Sequence, residues 1–173
     1  ILSGAGGKAF VSGADISRFG SERSSKQAVI EYNKMTKKVY DGVAHFPKPT
    51  IAQIDGFCVG GGVGLAASCD IRYCGTKSQF AIPAAKLGLG YEYEGINKLV
   101  KLIGPAFTKE IFYTARRFSA IEMASMGFIN KILDDKDLSS HCLEVANMIA
   151  SNAPLTIETT KFITNQCILE ESE

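Results

Sequence analysis

The chain has no tryptophan, only two histidines and five prolines. It has no apolar run near the roughly 18 residues that a membrane span requires, so no membrane is expected as a partner. An excess of either charge is also missing: 19 Lys and Arg stand against 18 Asp and Glu, for a net charge of +1. Such a balance gives no field to attract nucleic acid. The five cysteines, Cys58, Cys69, Cys74, Cys142 and Cys167, are odd in number and form no C-x-x-C pair. A disulfide framework and a zinc site are therefore not expected, and a reducing compartment is. Nor do His45 and His141 fall at metal-ligand spacing with other residues, so no metal is expected. His45 reads as a helix C-terminal residue and His141 as part of a solvated helix face. Internal repeats, linkers and low-complexity segments are lacking too.

What remains is an ordinary globular composition, 46% hydrophobic over 173 residues, enough for one domain with a real core. Ile1-Leu2 reads as the middle of a strand, without an initiator Met or polar lead-in. The chain is thus expected to begin inside a longer one, with any targeting segment ahead of it. The tail Leu169-Glu170-Glu171-Ser172-Glu173 reads as stopping on a running helix. The location expected from these features is cytoplasmic.

The patterning alternates between strand and helix. Ile1 to Ser3 reads as a buried strand closed by glycines, and Ala9 to Ile16 as a strand end or tight loop. Ser24 or Ser25 can cap a long helix reaching about Phe46, with Val29, Ile30, Met35, Val39 and Val43 as its apolar face. Thr50 to Ile54 is a short strand feeding a glycine-rich turn, and a buried helix follows from Gly62 to Ser68. Ile71–Cys74 and Gln79–Ile82 are strands. Gly104-Pro105 opens a helix. Ser119-x-x-Glu122 is a capping box for a short helix ended by Gly127, and Phe128–Ile132 is a strand. Two more helices run near 137–150 and 154–169. This order predicts an α/β class. The division expected is a core over residues 1–133 and a C-terminal helical region over 134–173.

Two glycine-bearing turns carry the chemistry. One is Ser12-Gly13-Ala14-Asp15-Ile16; the other is Asp55-Gly56 through Gly60-Gly61-Gly62, leading into a helix. A glycine triplet at a strand-to-helix junction frees backbone N–H groups and admits a ligand closely. The helix N-terminus behind it adds a positive dipole end. Two such N–H groups aimed at one point make an oxyanion hole. Packing alone is the competing reading of the same glycines. Gly62-Val63-Gly64-Leu65-Ala66-Ala67 also matches a dinucleotide fingerprint, but no acidic residue follows at the ribose distance of about 20 residues, which argues against it.

These motifs resemble those of the crotonase (enoyl-CoA hydratase/isomerase) superfamily. The first signature is Gly4 through Ile16, and the second is Pro47-Lys48-Pro49-Thr50-Ile51-Ala52 with Gly56 and Gly60-Gly61-Gly62. Cys69-Asp70-Ile71-Arg72, Phe80-x-x-Pro83, Leu87-Gly88, Arg117-Phe118-Ser119-Ala120 and Ala124-x-x-Gly127-Phe128-Ile129-Asn130 continue it in register. The resemblance implies a spiral of ββα repeats with a C-terminal helical region for oligomerisation, as a homotrimer or hexamer. It implies an acyl-CoA thioester as substrate, with coenzyme A part of that substrate and no separate cofactor. The oxyanion N–H groups fall on Ala14 and Gly61. Ser12, Gly13, Ala14, Asp15, Ile16, Ser17, Arg18, Gly60, Gly61, Ala84 and Tyr91 are the substrate-binding positions. Ser17 stands where hydratases often carry Lys, and Arg18 can supply a positive charge to a phosphate or simply lie solvated.

The departures matter as much. Hydratases of the family carry glutamates where this chain has Gly64 and Ala84, so neither position can move a proton. Aligning Leu87-Gly88 and Lys98-Leu99 without gaps puts Glu92 at the aspartate slot of dienoyl isomerases and aryl-CoA dehalogenases. Glu92 is therefore the candidate base, with Glu94 expected to point the opposite way in an extended loop. Glu92 and Glu94 as mere solvated charges is the alternative. The function expected is acyl-CoA processing through a stabilised thioester enolate. A non-catalytic acyl-CoA-binding role and a CoA-thioester decarboxylase or hydrolase remain as alternatives.

Overall fold

A computed structural model describes residues 1–15, 17 and 25–170. Its strands form two sheets of four. The first has the order β1 (Leu2–Ser3), β3 (Ile51–Ile54), β5 (Ile71–Gly75), β8 (Lys131–Leu133) and is parallel throughout. The second has the order β2 (Ala9–Val11), β4 (Phe57–Val59), β6 (Gln79–Ala81), β7 (Phe118–Ser119), antiparallel only at the β6–β7 pair. The chain leaves a strand of the first sheet, turns into one of the second, and returns through a helix. Helix α1 (Lys26–Ala44) follows β2, α2 (Gly61–Ser68) follows β4, and α3 (Tyr93–Thr114) follows β6. This is the expected α/β spiral of ββα repeats.

The turn between β3 and β4 shows why the repeat needs glycine. Gly56 has φ +67°, and a Cβ on it would run into Lys8 O. Phe57–Val59, read from sequence as part of that turn, is a strand, too short to show alternation on its own. The core lies between the sheets, where Phe80 and Phe128 meet edge to face at 6.1 Å with Phe118 fully buried beside them. Arg72 is buried in the same core. It donates from Nε to Phe128 O at 2.7 Å and from Nη1 to Cys69 O at 2.6 Å, so main-chain carbonyls satisfy its guanidinium.

Several helix signals act as read. Ser25 Oγ accepts from Ala28 N at 3.2 Å and caps α1. Ser119 and Glu122 form the reciprocal capping box of α4 (Ala120–Ser125). Gly104, at φ 76° and ψ 166°, separates two helical stretches within α3, and the second starts at Pro105 as expected. The expected strand over Phe128–Ile132 is displaced to β8, because Phe128 N and Ile129 N are held by Met123 O.

The face of α1 differs from expectation. Ile30, Met35 and Val39 are exposed. The inward stripe is Val29, Tyr32, Asn33, Thr36, Tyr40 and Val43, all partly buried and spaced by three or four. Much of it is polar because it borders a cleft. His141 is also not simply solvated: its ring lies edge-on to Tyr73 at 5.1 Å. Helices α5 (Leu138–Ser151) and α6 (Pro154–Glu170) complete the chain. Leu138 and Cys142 of α5 pack on Ile51 in a small second core.

Candidate active site

A cleft of about 1470 Å³ opens between α1, α2 and the segment leading into α3, and it runs on past Asp70 to Ile149 of α5 and Thr156 and Lys161 of α6. That exceeds the usual volume for a small ligand, roughly 300–1,000 Å³, and suits an elongated one. Both glycine turns reach it. Gly13 has φ +106° and Gly60 φ +56° with ψ −116°, backbone states that a side chain would strain. The turns lie side by side: a Cβ on Gly60 would be 3.9 Å from Gly13 Cα and 4.0 Å from Tyr91 Oη. Gly60 N donates to Ala81 O at 2.8 Å, which fixes the second turn to β6.

Gly61 is the first residue of α2, so its N–H has no carbonyl one turn back to bond. Ala14 follows Gly13 on the opposing turn and lines the same cleft. Ala14 and Gly61, from separate loops, thus border one space. Ser12 and Gly13 line it as well. Asp15 turns toward its own loop, its Oδ1 accepting from Ser17 N at 3.0 Å and Ser17 Oγ at 2.6 Å. Ile16 and Arg18 lie outside the described residues.

The third wall comes from the segment before α3. Ala84 is buried in a short 3-10 turn, Pro83–Lys86, and offers only a methyl group. Tyr91 packs edge-on against Phe112 at 5.0 Å. Glu92 is the N-cap residue of α3 and accepts from Asn33 Nδ2 at 2.8 Å. Glu94 does not point the opposite way, as expected for an extended loop. The backbone has become helical by Tyr93, so Glu94 also faces α1 and pairs with Lys37. Asn33 and Lys37 are successive positions of one α1 face, and the two carboxylates dock on them in order.

Three groups of this cleft had no motif to announce them. Asn33 orients Glu92. Lys98 donates to Ser68 Oγ at 2.8 Å, and burial lowers its pKa. Tyr40 donates its hydroxyl to Gly61 O at 3.0 Å, and burial pushes its phenol up to about 12. For Tyr40 the signal available was the four-residue spacing of Tyr32, Thr36 and Tyr40 along α1. Among the described residues, no group of His, Cys, Asp or Glu is arranged to hold a metal ion, and no helix is long and apolar enough to cross a membrane.

The chain is similar to several known proteins. Short-chain-enoyl-CoA hydratase of Clostridium acetobutylicum is 36% identical over 169 residues, covering 96% of this chain and 63% of that protein. The peroxisomal Delta(3,5)-Delta(2,4)-dienoyl-CoA isomerase of Arabidopsis thaliana is 34% identical over 175 residues, covering 94% and 62%. A crystal structure of an enoyl-CoA hydratase/carnithine racemase from Magnetospirillum magneticum is similar with a TM-score of 0.92 at 33% identity, covering 95% of this chain and 62% of that one. The chain thus spans a little under two thirds of the length of these relatives. A sequence model described as Enoyl-CoA hydratase/isomerase matches residues 1–170. That match takes in both glycine turns and every wall of the cleft, and on it the chain belongs to the enoyl-CoA hydratase/isomerase family.

Proposed function

We propose that the chain processes acyl-CoA thioesters by polarising the thioester carbonyl between the N–H groups of Ala14 and Gly61. The observation that carries this is the side-by-side placement of the Gly13 and Gly60 turns at the head of α2. Donors held there meet the charge that grows on oxygen as an enolate forms. Removal of one such donor costs roughly 3–4 kcal/mol of barrier in enzymes of this kind. Glu92 is the proton carrier. Its carboxylate takes an α- or γ-proton from the acyl chain, the C–H electron pair enters the enolate, and the proton returns at another carbon. That balance describes an isomerase, with no water consumed. Gly64 and Ala84 support it, since neither offers a carboxylate to orient water.

The nucleotide end of CoA borders the segment from Ala14 through Ser17, of which Ala14, Asp15 and Ser17 are described. The exposed apolar side chains of α5 and α6, among them Leu143, Met148, Leu155 and Phe162, support subunit association through the C-terminal helices.

The test is a panel of CoA thioesters incubated with the protein, with products identified by mass spectrometry, and a complex structure with a substrate that turns over slowly. The expected result is a positional isomer of one unsaturated acyl-CoA, with its carbonyl oxygen within hydrogen-bond reach of Ala14 N and Gly61 N. A thioester carbonyl lying away from both groups would reject the placement. Tight binding with no product would favour the second reading, a non-catalytic acyl-CoA-binding protein, to which the absence of carboxylates at 64 and 84 also lends weight.

A further inference from the structure

Tyr40 rises from the inward stripe of α1 against the first turns of α2. A Cβ built on Gly64 would lie 2.9 Å from both Oη and Cζ of Tyr40 and 3.2 Å from its Cε2. On Gly61 it would lie 3.0 Å from the same hydroxyl. At 2.9 Å a Cβ on Gly64 could be taken in only by moving the phenol, so a side chain at position 64 and the Tyr40 ring in its present place exclude each other. The ring borders the cleft, and to yield toward it the hydroxyl would have to give up its bond to Gly61 O. With its pKa raised by burial, the phenol is neutral across the ordinary pH range. Its one proton is committed to Gly61 O, so it is not a base that could activate water.

We infer that Tyr40 is a specificity-determining residue: its ring occupies the part of the cleft beside Gly64 and closes it to a carboxylate and to the water such a group would orient. The acyl chain then meets phenol on this side, and a proton can be moved along it without water being added. This inference rests on the acyl-CoA reading for its substrate, while the exclusion between positions 40 and 64 does not.

The first experiment compares Gly64→Glu in the parent, in Tyr40→Phe and in Tyr40→Ala by thermal unfolding. Overpacking should lower the midpoint by about 5 °C in the parent and in Tyr40→Phe, which keeps the ring, and by less than half as much in Tyr40→Ala. An equal fall in all three backgrounds overturns the exclusion. The second adds Ala84→Glu and follows loss of enoyl absorbance from crotonyl-CoA. Tyr40→Ala/Gly64→Glu/Ala84→Glu should hydrate about tenfold faster or more than Gly64→Glu/Ala84→Glu. Equal rates in two chains that bind crotonyl-CoA alike overturn the role in specificity. Failure of the parent to bind any acyl-CoA counts against the acyl-CoA reading instead, and the unfolding comparison then decides the exclusion alone.

Discussion

Lys161 Nζ lies 2.8 Å from Asp70 Oδ2, and this ion pair joins the last helix to the entry of β5. The same carboxylate oxygen accepts from Thr50 N at 2.7 Å and Thr50 Oγ1 at 3.0 Å, while Lys161 also donates to Lys48 O at 3.1 Å. The Lys161 side chain is only 11% exposed, so solvent screens the pair weakly. Lys161→Met should therefore cost about 1–2 kcal/mol in urea unfolding and raise amide exchange selectively in α6. An unchanged midpoint with unchanged exchange would show that α6 is held by other contacts.

Arg72 gives a larger expectation. Replacing it by Met removes the donors that satisfy the carbonyls of Phe128 and Cys69 inside the core. The loss should be about 3 kcal/mol or more by urea denaturation. Arg72→Lys should recover little, since a single ammonium does not span the two carbonyls as a planar guanidinium does. Full stability of either variant would refute the account of how that core is satisfied.

Glu122 links stability to acid. The Ser119 N–H first, then Arg116 and the Ser119 hydroxyl, hold its carboxyl down to about 2 from an ordinary 4.5. A depressed pKa means the folded state favours the charged form. The stabilisation is complete above pH 4.5 and is lost as pH falls from there through about 2. The stability gap between the parent and Glu122→Gln should be constant near neutrality and narrow over that window. A gap that does not change with pH would count against it.

Glu92→Gln keeps the shape of the side chain and removes the titrating group. Turnover of whichever acyl-CoA isomerises should fall by about 10²-fold or more with affinity nearly unchanged. Glu94→Gln loses only the pair with Lys37 and should do much less. Matching rates for Glu92→Gln and the parent would take Glu92 out of the mechanism.

Local signals were the legible ones. A cap such as Ser25, a capping box such as Ser119 and Glu122, or a glycine turn is written within a few adjacent residues, and each acts where the sequence places it. Apolar spacing misled in α1, because a helix that borders a cleft turns Tyr32, Asn33, Thr36 and Tyr40 inward and leaves Ile30 and Met35 outside. Phe57–Val59 is too short for its period to be read. The bond from Asn33 to Glu92 and the contact of Tyr40 with Gly64 join residues far apart in the chain. No local pattern encodes them, since they exist only once α1 is laid across α2 and the start of α3.

The contact between Tyr40 and Gly64 also imposes an order on descent. A lineage that gains a side chain at position 64 while the ring is present passes through an overpacked intermediate. One that first shrinks position 40 passes instead through a chain with extra room on a solvent-facing cleft wall, a milder defect. The two substitutions therefore do not commute. Once the ring has settled against a bare glycine, the way back to a carboxylate runs through a change on a different helix, and the pair acts as a historical ratchet.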